Sequence, residues 1–182
     1  NLLSLDDEGI IVPSRNQEFG LQFVHFYPPK ILRKTIDDHI SNDNKEIING
    51  VHSPIIGWAY DGNPIYGPYG QVDSNIRRIR SSYVKDVESN PLLRPDFPEG
   101  FFVQDYSFSR ASGDLDEYNG RFCTTPEFPN GTYAYFATID SNPSSSPVYP
   151  YLIGDYFKSS PILENFNSRF NQDEFSNQIE SE

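Results

Sequence analysis

Hydrophobic and polar positions alternate over residues 19–27, where Phe19, Leu21, Phe23, His25 and Tyr27 share one face and Val24 and Phe26 take the other. Apolar residues on both faces at period two predict a strand covered on both sides, and Pro28-Pro29 stops it. The period then lengthens. Leu32, Ile36 and Ile40 form an i, i+4, i+8 stripe with Ile31 beside it, predicting a helix over 30–40. Pro29 suits its first turn, Arg33–Asp37 and Lys34–Asp38 stand at i,i+4 spacing, and Ser41-Asn42-Asp43-Asn44 ends it. Residues 55–60 are short and apolar on both faces, a buried strand. Asp61-Gly62-Asn63-Pro64 and Gly67-Pro68-Tyr69-Gly70 are turns by their Gly, Pro and Asx content. Between Val72 and Pro98 the pattern is charged and irregular, a long surface loop with a helical turn. Residues 101–108, 132–139 and 148–153 are aromatic and β-branched and predict three strands, the last two joined by a loop over 142–147.

These elements predict a mainly β fold: a single compact sandwich or distorted barrel with one short helix and long loops. Residues 1–18 are mixed and polar, an N-terminal arm or edge strand. Residues 19–158 carry the compact domain. Residues 159–182 turn polar and acidic with scattered Phe166, Phe170 and Phe175, a tail or a docking extension. The chain holds no methionine and opens on Asn1 without a basic flank and apolar run, so it is expected to be a processed product or a segment of something longer, without a signal peptide.

Charge narrows the partners. A net charge of −12 over 182 residues disfavours nucleic acid, because phosphate contacts need clustered Lys and Arg. Arg77, Arg78 and Arg80 form the basic cluster, too small to offset the rest. No stretch approaches the roughly 18 apolar residues needed to span a bilayer, so membrane insertion is not expected. Cys123 stands alone, which rules out an internal disulfide and a cysteine metal knuckle.

The densest text is His52-Ser53-Pro54-Ile55-Ile56-Gly57-Trp58-Ala59-Tyr60-Asp61-Gly62-Asn63-Pro64-Ile65-Tyr66-Gly67-Pro68-Tyr69-Gly70. It packs the one Trp, four Gly and three Pro into nineteen residues, and so fixes its backbone tightly. With Arg77–Tyr83, Asp114–Phe122, Thr125–Thr132 and Tyr149–Gly154 in fixed order, it resembles the YHYH domain family over roughly residues 50–158. The family is named for a Tyr-His-Tyr-His strand. At that place this chain reads Tyr133-Ala134-Tyr135-Phe136, so both histidines are absent and any metal or proton chemistry they carry elsewhere is lost there. The two tyrosines share one strand face, and Ala134 and Phe136 the other. The resemblance implies a setting like that of marine bacterial surface proteins and of virion proteins of marine, cyanophage-like tailed phages.

The candidate chemistry is thin. His25, His39 and His52 are far apart in sequence: His25 reads as a core histidine, His39 lies beside the helix stripe, and His52 could bridge backbone carbonyls in its turn. Asp114-Leu115-Asp116-Glu117-Tyr118-Asn119-Gly120 has carboxylates at alternate positions and raises calcium as a candidate. However, Tyr118 and Asn119 stand where a calcium loop wants an oxygen ligand and Gly. The competing reading is a turn in which Asp116 and Asn119 bond the local backbone and Glu117 pairs with Arg121. Gly-x-Ser-x-Gly and phosphate-cradling loops are absent, and Cys123, a conceivable nucleophile for His52, reads as a small buried hydrophobe. Tyr60, Tyr66, Tyr69 and Tyr83 could line a groove, but core packing is the favoured reading.

No catalytic residue and no metal ligand is assigned. A shared ligand-binding site is expected from His52, Asp61, Asn63, Tyr66, Asp116, Glu117 and Arg121, in which Asp61 and Asp116 hold amides or a ligand hydroxyl. The function expected is a structural or adhesion module of a larger extracellular or virion assembly. Its partners would be other subunits and a host-surface glycan or protein. The alternative is a metal-assisted hydrolase of a surface polymer, which requires His52 to converge with Asp61 and with Asp116 or Glu117.

Overall fold

The computed structural model describes residues 10–11, 24–25, 28–86, 97, 100–142 and 145–161. Its centre is a hairpin that the sequence marks plainly. Strand β3 (Ile55–Trp58) turns at Asp61-Gly62-Asn63 into β4 (Pro64–Tyr66). Gly62 takes φ +83°, the Asp61 carboxylate accepts the Asn63 amide, and Ala59 N–H donates to Asn63 C=O. Pro64, with no N–H to offer, stands first in its strand, where a ladder tolerates it.

β4 pairs in parallel with β10 (Thr132–Phe136), and β10 pairs antiparallel with β9 (Gly120–Cys123). The four strands form one sheet in the order β3-β4-β10-β9. Three two-stranded ribbons accompany it: β1 (Ile10–Ile11) with β2 (Val24–His25), β5 (Tyr69–Val72) with β6 (Asn75–Arg78), and β7 (Tyr83–Lys85) with β8 (Tyr106–Phe108). The fold is mainly β with one short helix. Among the described residues no sheet is seen closed into the expected sandwich or distorted barrel.

Several elements depart from the sequence pattern for identifiable reasons. Tyr69 and Gly70, expected in a turn, open β5, which the two-residue turn Asp73-Ser74 returns as β6. The charged stretch after Val72 therefore holds strands where a loop was expected. Arg77-Arg78 breaks the visible alternation, while Ile79 just beyond it is wholly buried. Residues 103–105 form a 3-10 turn before β8, so the strand expected over 101–108 covers only its last three residues. Residues 148–153 form turns, not a strand. The expected strand over 19–27 lies outside the described residues except at Val24–His25, as does the segment 162–182.

The helix α1 covers Lys30–Thr35 alone. Asp37 and His39 take left-handed backbone angles (φ +58° and +54°), so the i,i+4 pairs expected for Arg33 and Lys34 cannot form. Arg33 turns inward instead. Wholly buried, its guanidinium donates to Asp38 Oδ2 at 2.6 Å and forks onto Glu46 Oε1 and Oε2 at 2.6 and 3.0 Å. Asp38 Oδ1 accepts the Ser53 hydroxyl, Ser53 Oγ accepts the Tyr69 amide, and Tyr69 Oη donates to Glu46. His39 stacks on Tyr69 with ring centroids 4.0 Å apart, its two nitrogens against the Ile47 and Val51 carbonyls. Gly67 lies so close to the Asp38 carboxylate that a Cβ there would collide with it.

The core packs on one face of the sheet: Tyr66, Ile79, Leu115, Ala134 and Phe136, with Ile55, Val72 and Cys123 against them. Removing the buried cation while leaving two carboxylates behind is costly, so Arg33→Leu is expected to lower stability by about 3–5 kcal/mol, read as a fall in the urea midpoint.

Candidate functional site

Strand β10 carries the Tyr133-Ala134-Tyr135-Phe136 tetrad through the middle of the sheet, and its alternation makes two different environments.

On the tyrosine face, buried Tyr135 donates to Asp61 Oδ2 at 2.7 Å and accepts the Lys158 amide at 2.7 Å. Asp61 also accepts the Asn63 side chain at 2.8 Å and the Ser159 amide at 3.2 Å. One step along the strand, Tyr133 donates to Asp116 at 2.9 Å, lying over Gly120, where a Cβ would meet its ring. Asp116 Oδ1 accepts the amides of Tyr118 and Gly120, an Asx-type turn. Lys158 Nζ completes the face, 3.7 Å from Asp116 and 4.7 Å above the centre of the Tyr118 ring. Burial, reinforced by the acceptor carboxylates, pushes both phenols well above the ordinary tyrosine range, so they act here as donors.

On the opposite face, Phe136 stacks on Tyr66 at 5.7 Å, and His52 stands edge-on to Tyr66 at 5.0 Å. Tyr66 Oη donates to Glu127 and accepts from the Thr125 hydroxyl, both at 2.8 Å. The Arg121 guanidinium lies over the Phe136 ring at 5.6 Å and donates to the Gln71 carbonyl. His52 Nδ1 meets the Ser53 carbonyl at 2.7 Å, while Nε2 is buried without a hydrogen bond. Burial lowers the His52 pKa and raises that of the Cys123 thiol.

The seven residues expected to share a site therefore divide. Asp61, Asn63 and Asp116 come together on the tyrosine face. His52, Tyr66 and Arg121 come together on the core face, with β10 between the two groups. Glu117 joins neither: its carbonyl accepts Tyr83 Oη, and among the described residues no ion pair links it to Arg121, which β9 directs to the core face. Asn119 is buried; its amide closes the local turn onto the Asp116 carbonyl, while its side chain donates to the distant Phe136 and Leu152 carbonyls. Asp114 is held by Arg77 at 2.8 Å and by Arg80 at 3.2 Å, so two carboxylates of the would-be calcium loop, Asp114 and Asp116, already have partners. Among the described residues no three His, Cys, Asp or Glu side chains gather as a metal site, and no hydrogen bond joins Cys123 to His52. Tyr66 and Tyr69 are core residues, Tyr83 is half-buried, and Tyr60 is exposed.

Lys158, Arg33, Asp38 and Glu46 were not singled out by sequence. Strand alternation did mark the shared face of Tyr133 and Tyr135, but nothing local announces Lys158, which reaches them from the far end of the domain.

Tyr135→Phe leaves the Lys158 amide without its acceptor and Asp61 without its shortest donor, and is expected to cost about 1–3 kcal/mol by chemical denaturation. Tyr133→Phe should cost less, since Asp116 is partly solvated. Asp114 titrates well below the ordinary carboxylate range: burial opposes this, but the Arg77 and Arg80 hydrogen bonds outweigh it. A depressed native pKa gives stability that is present above the unfolded value and lost as pH falls. The difference between the native chain and Asp114→Asn should therefore be full above about pH 5, begin to shrink near the unfolded value of about 4, and close only as pH falls on toward the depressed native value.

No curated protein and no solved structure matches the chain. A family model described as YHYH protein matches residues 24–148, reaching back past the Arg33 cluster and ending before the Tyr149–Gly154 block. With more than half of its length matched, the chain belongs to the YHYH family.

Proposed function

We propose that this chain is a structural and binding module, not a hydrolase. In this reading it decorates a larger extracellular or virion assembly and contacts a host-surface glycan or protein. One observation carries the choice. β10 stands between His52 and the carboxylates of Asp61 and Asp116, and each of those carboxylates is engaged by a tyrosine hydroxyl and backbone amides. The convergence a hydrolase would need is absent on both faces: the core face has its imidazole packed among aromatic rings, and the tyrosine face has its phenols locked as donors.

Exposed aromatics support a contact surface. Trp58 is 59% exposed on edge strand β3, edge-on to Phe128, and Tyr60 follows two residues on against Phe157. Flat rings held by neighbours suit the apolar faces of sugars. Among the described residues no helix is long and apolar enough to cross a membrane, and the acidic charge disfavours nucleic acid. The compact unit is taken as residues 19–158, with 1–18 an arm and 159–182 an acidic polar tail or docking extension. The virion or extracellular setting follows from the family resemblance.

The test is retention of the whole chain on surface polysaccharide extracted from marine bacterial cells, with released reducing ends assayed in parallel. Retention without release is expected, and Trp58→Ala should weaken it about tenfold, the loss of one aromatic stacking contact. Polymer cleavage that disappears in His52→Ala would overturn the module reading in favour of the hydrolase.

A further inference from the structure

A cavity of about 450 Å³ opens beside the β5–β6 ribbon, away from both faces of β10. Arg77, Arg78 and Arg80 line it together with Asp140 to Asn142, and Glu46 and Tyr69 contribute from the buried Arg33 cluster. Most of these groups already have partners. Arg77 and Arg80 share the Asp114 carboxylate. Glu46 accepts from Arg33 and Tyr69. Asp140 caps its own turn through the amides of Asn142 and Ser146. Arg78 differs: the residue is half-buried, and among the described residues its guanidinium makes no ion pair and no side-chain hydrogen bond. In a chain of net charge −12, a cation left unpaired in a cavity is a specific feature.

We propose that this cavity binds a carboxylate-bearing sugar, a uronic acid unit of an acidic polysaccharide, with Arg78 holding the carboxylate. The planar guanidinium matches a carboxylate through two parallel hydrogen bonds. The volume accepts one or two sugar rings. The Asp140 carboxylate and the Ser141 hydroxyl, in the same lining, can meet ring hydroxyls. Exposed Ile48, at the cavity's edge, offers an apolar contact to a ring face. The proposal rests on the module reading and names the ligand class that such a module would take.

The experiment is calorimetric titration of the whole chain with digalacturonate, with its carboxyl-reduced neutral counterpart and with inorganic phosphate, alongside melting of each variant. Digalacturonate is expected to bind, the neutral disaccharide at least about tenfold more weakly, and Arg78→Gln to lose at least about tenfold, the scale of one charge-assisted pair. Arg78→Lys should restore only part, because an ammonium lacks the fork. Equal binding of the neutral sugar, or an undiminished Arg78→Gln, overturns the proposal, and phosphate binding as tightly as digalacturonate replaces it with a general anion site. Lowered stability of Arg78→Gln with no digalacturonate binding by the native chain would also overturn it, leaving Arg78 to balance the two carboxylates around Arg33. If native chain and Arg78→Gln are retained equally on polysaccharide, the cavity assignment fails while the module reading stands. If digalacturonate binds through Arg78 and the polymer is cleaved, the reverse holds.

Discussion

Alternation along β10 is the constraint from which the arrangement of polar groups follows. Successive side chains on a strand must leave on opposite faces, and Ala134, Tyr135 and Phe136 are all wholly buried, so both faces of this strand are covered there. Its phenols need hydrogen-bond acceptors once buried, and Asp61 and Asp116 supply them from two separate turns. Its apolar pair needs packing, and Tyr66, Ile79 and Leu115 supply that. The turn at Asp61 and the turn at Asp116 are thereby tied to neighbouring positions of one strand. Where the family name places histidines, an Ala and a Phe now fill the core face.

The Arg33 cluster is the second organising interaction, and it is of a different kind. A buried guanidinium stabilises little on balance against a well-packed apolar replacement, but it is unforgiving about geometry. Here it holds together α1, the loop carrying Asp38 and Glu46, Ser53 ahead of β3, and Tyr69 at the start of β5. Gly67 lets the backbone approach the Asp38 carboxylate at the one place where any side chain would intrude. The result is a polar core distinct from the aromatic one.

What could be read from the chain depended on range. The Asp61-Gly62-Asn63-Pro64 turn and the Tyr133/Tyr135 face were legible because neighbours in sequence determine them. β6 was not, because its paired arginines hide the alternation and only pairing with β5 reveals it. The helix was overread: its apolar stripe continues past Thr35, but left-handed Asp37 and His39 end it so that Arg33 can face inward. The acceptors of the tyrosines were out of reach altogether, since Tyr135 and Asp61 are 74 positions apart. Clustering of family blocks put Asp61, Asp116, His52 and Arg121 in one group, where the structure sets the first two on one face of β10 and the last two on the other. Facing cannot be read from a block when strand partners are unknown.

The parallel pairing of β4 with β10 has a consequence for how such a chain comes into being. Parallel strands cannot be joined by a tight turn, and here Ile65 finds Tyr135 only once the chain has grown 70 positions further. Closing so long a loop carries an entropic cost that local contacts do not offset, so the sheet's centre forms late and as one event. A ribosome that has delivered the hairpin of β3 and β4 has delivered an exposed edge with no partner. The first half of the domain must wait, sheltered or at risk of pairing with another copy, until the tyrosine strand emerges.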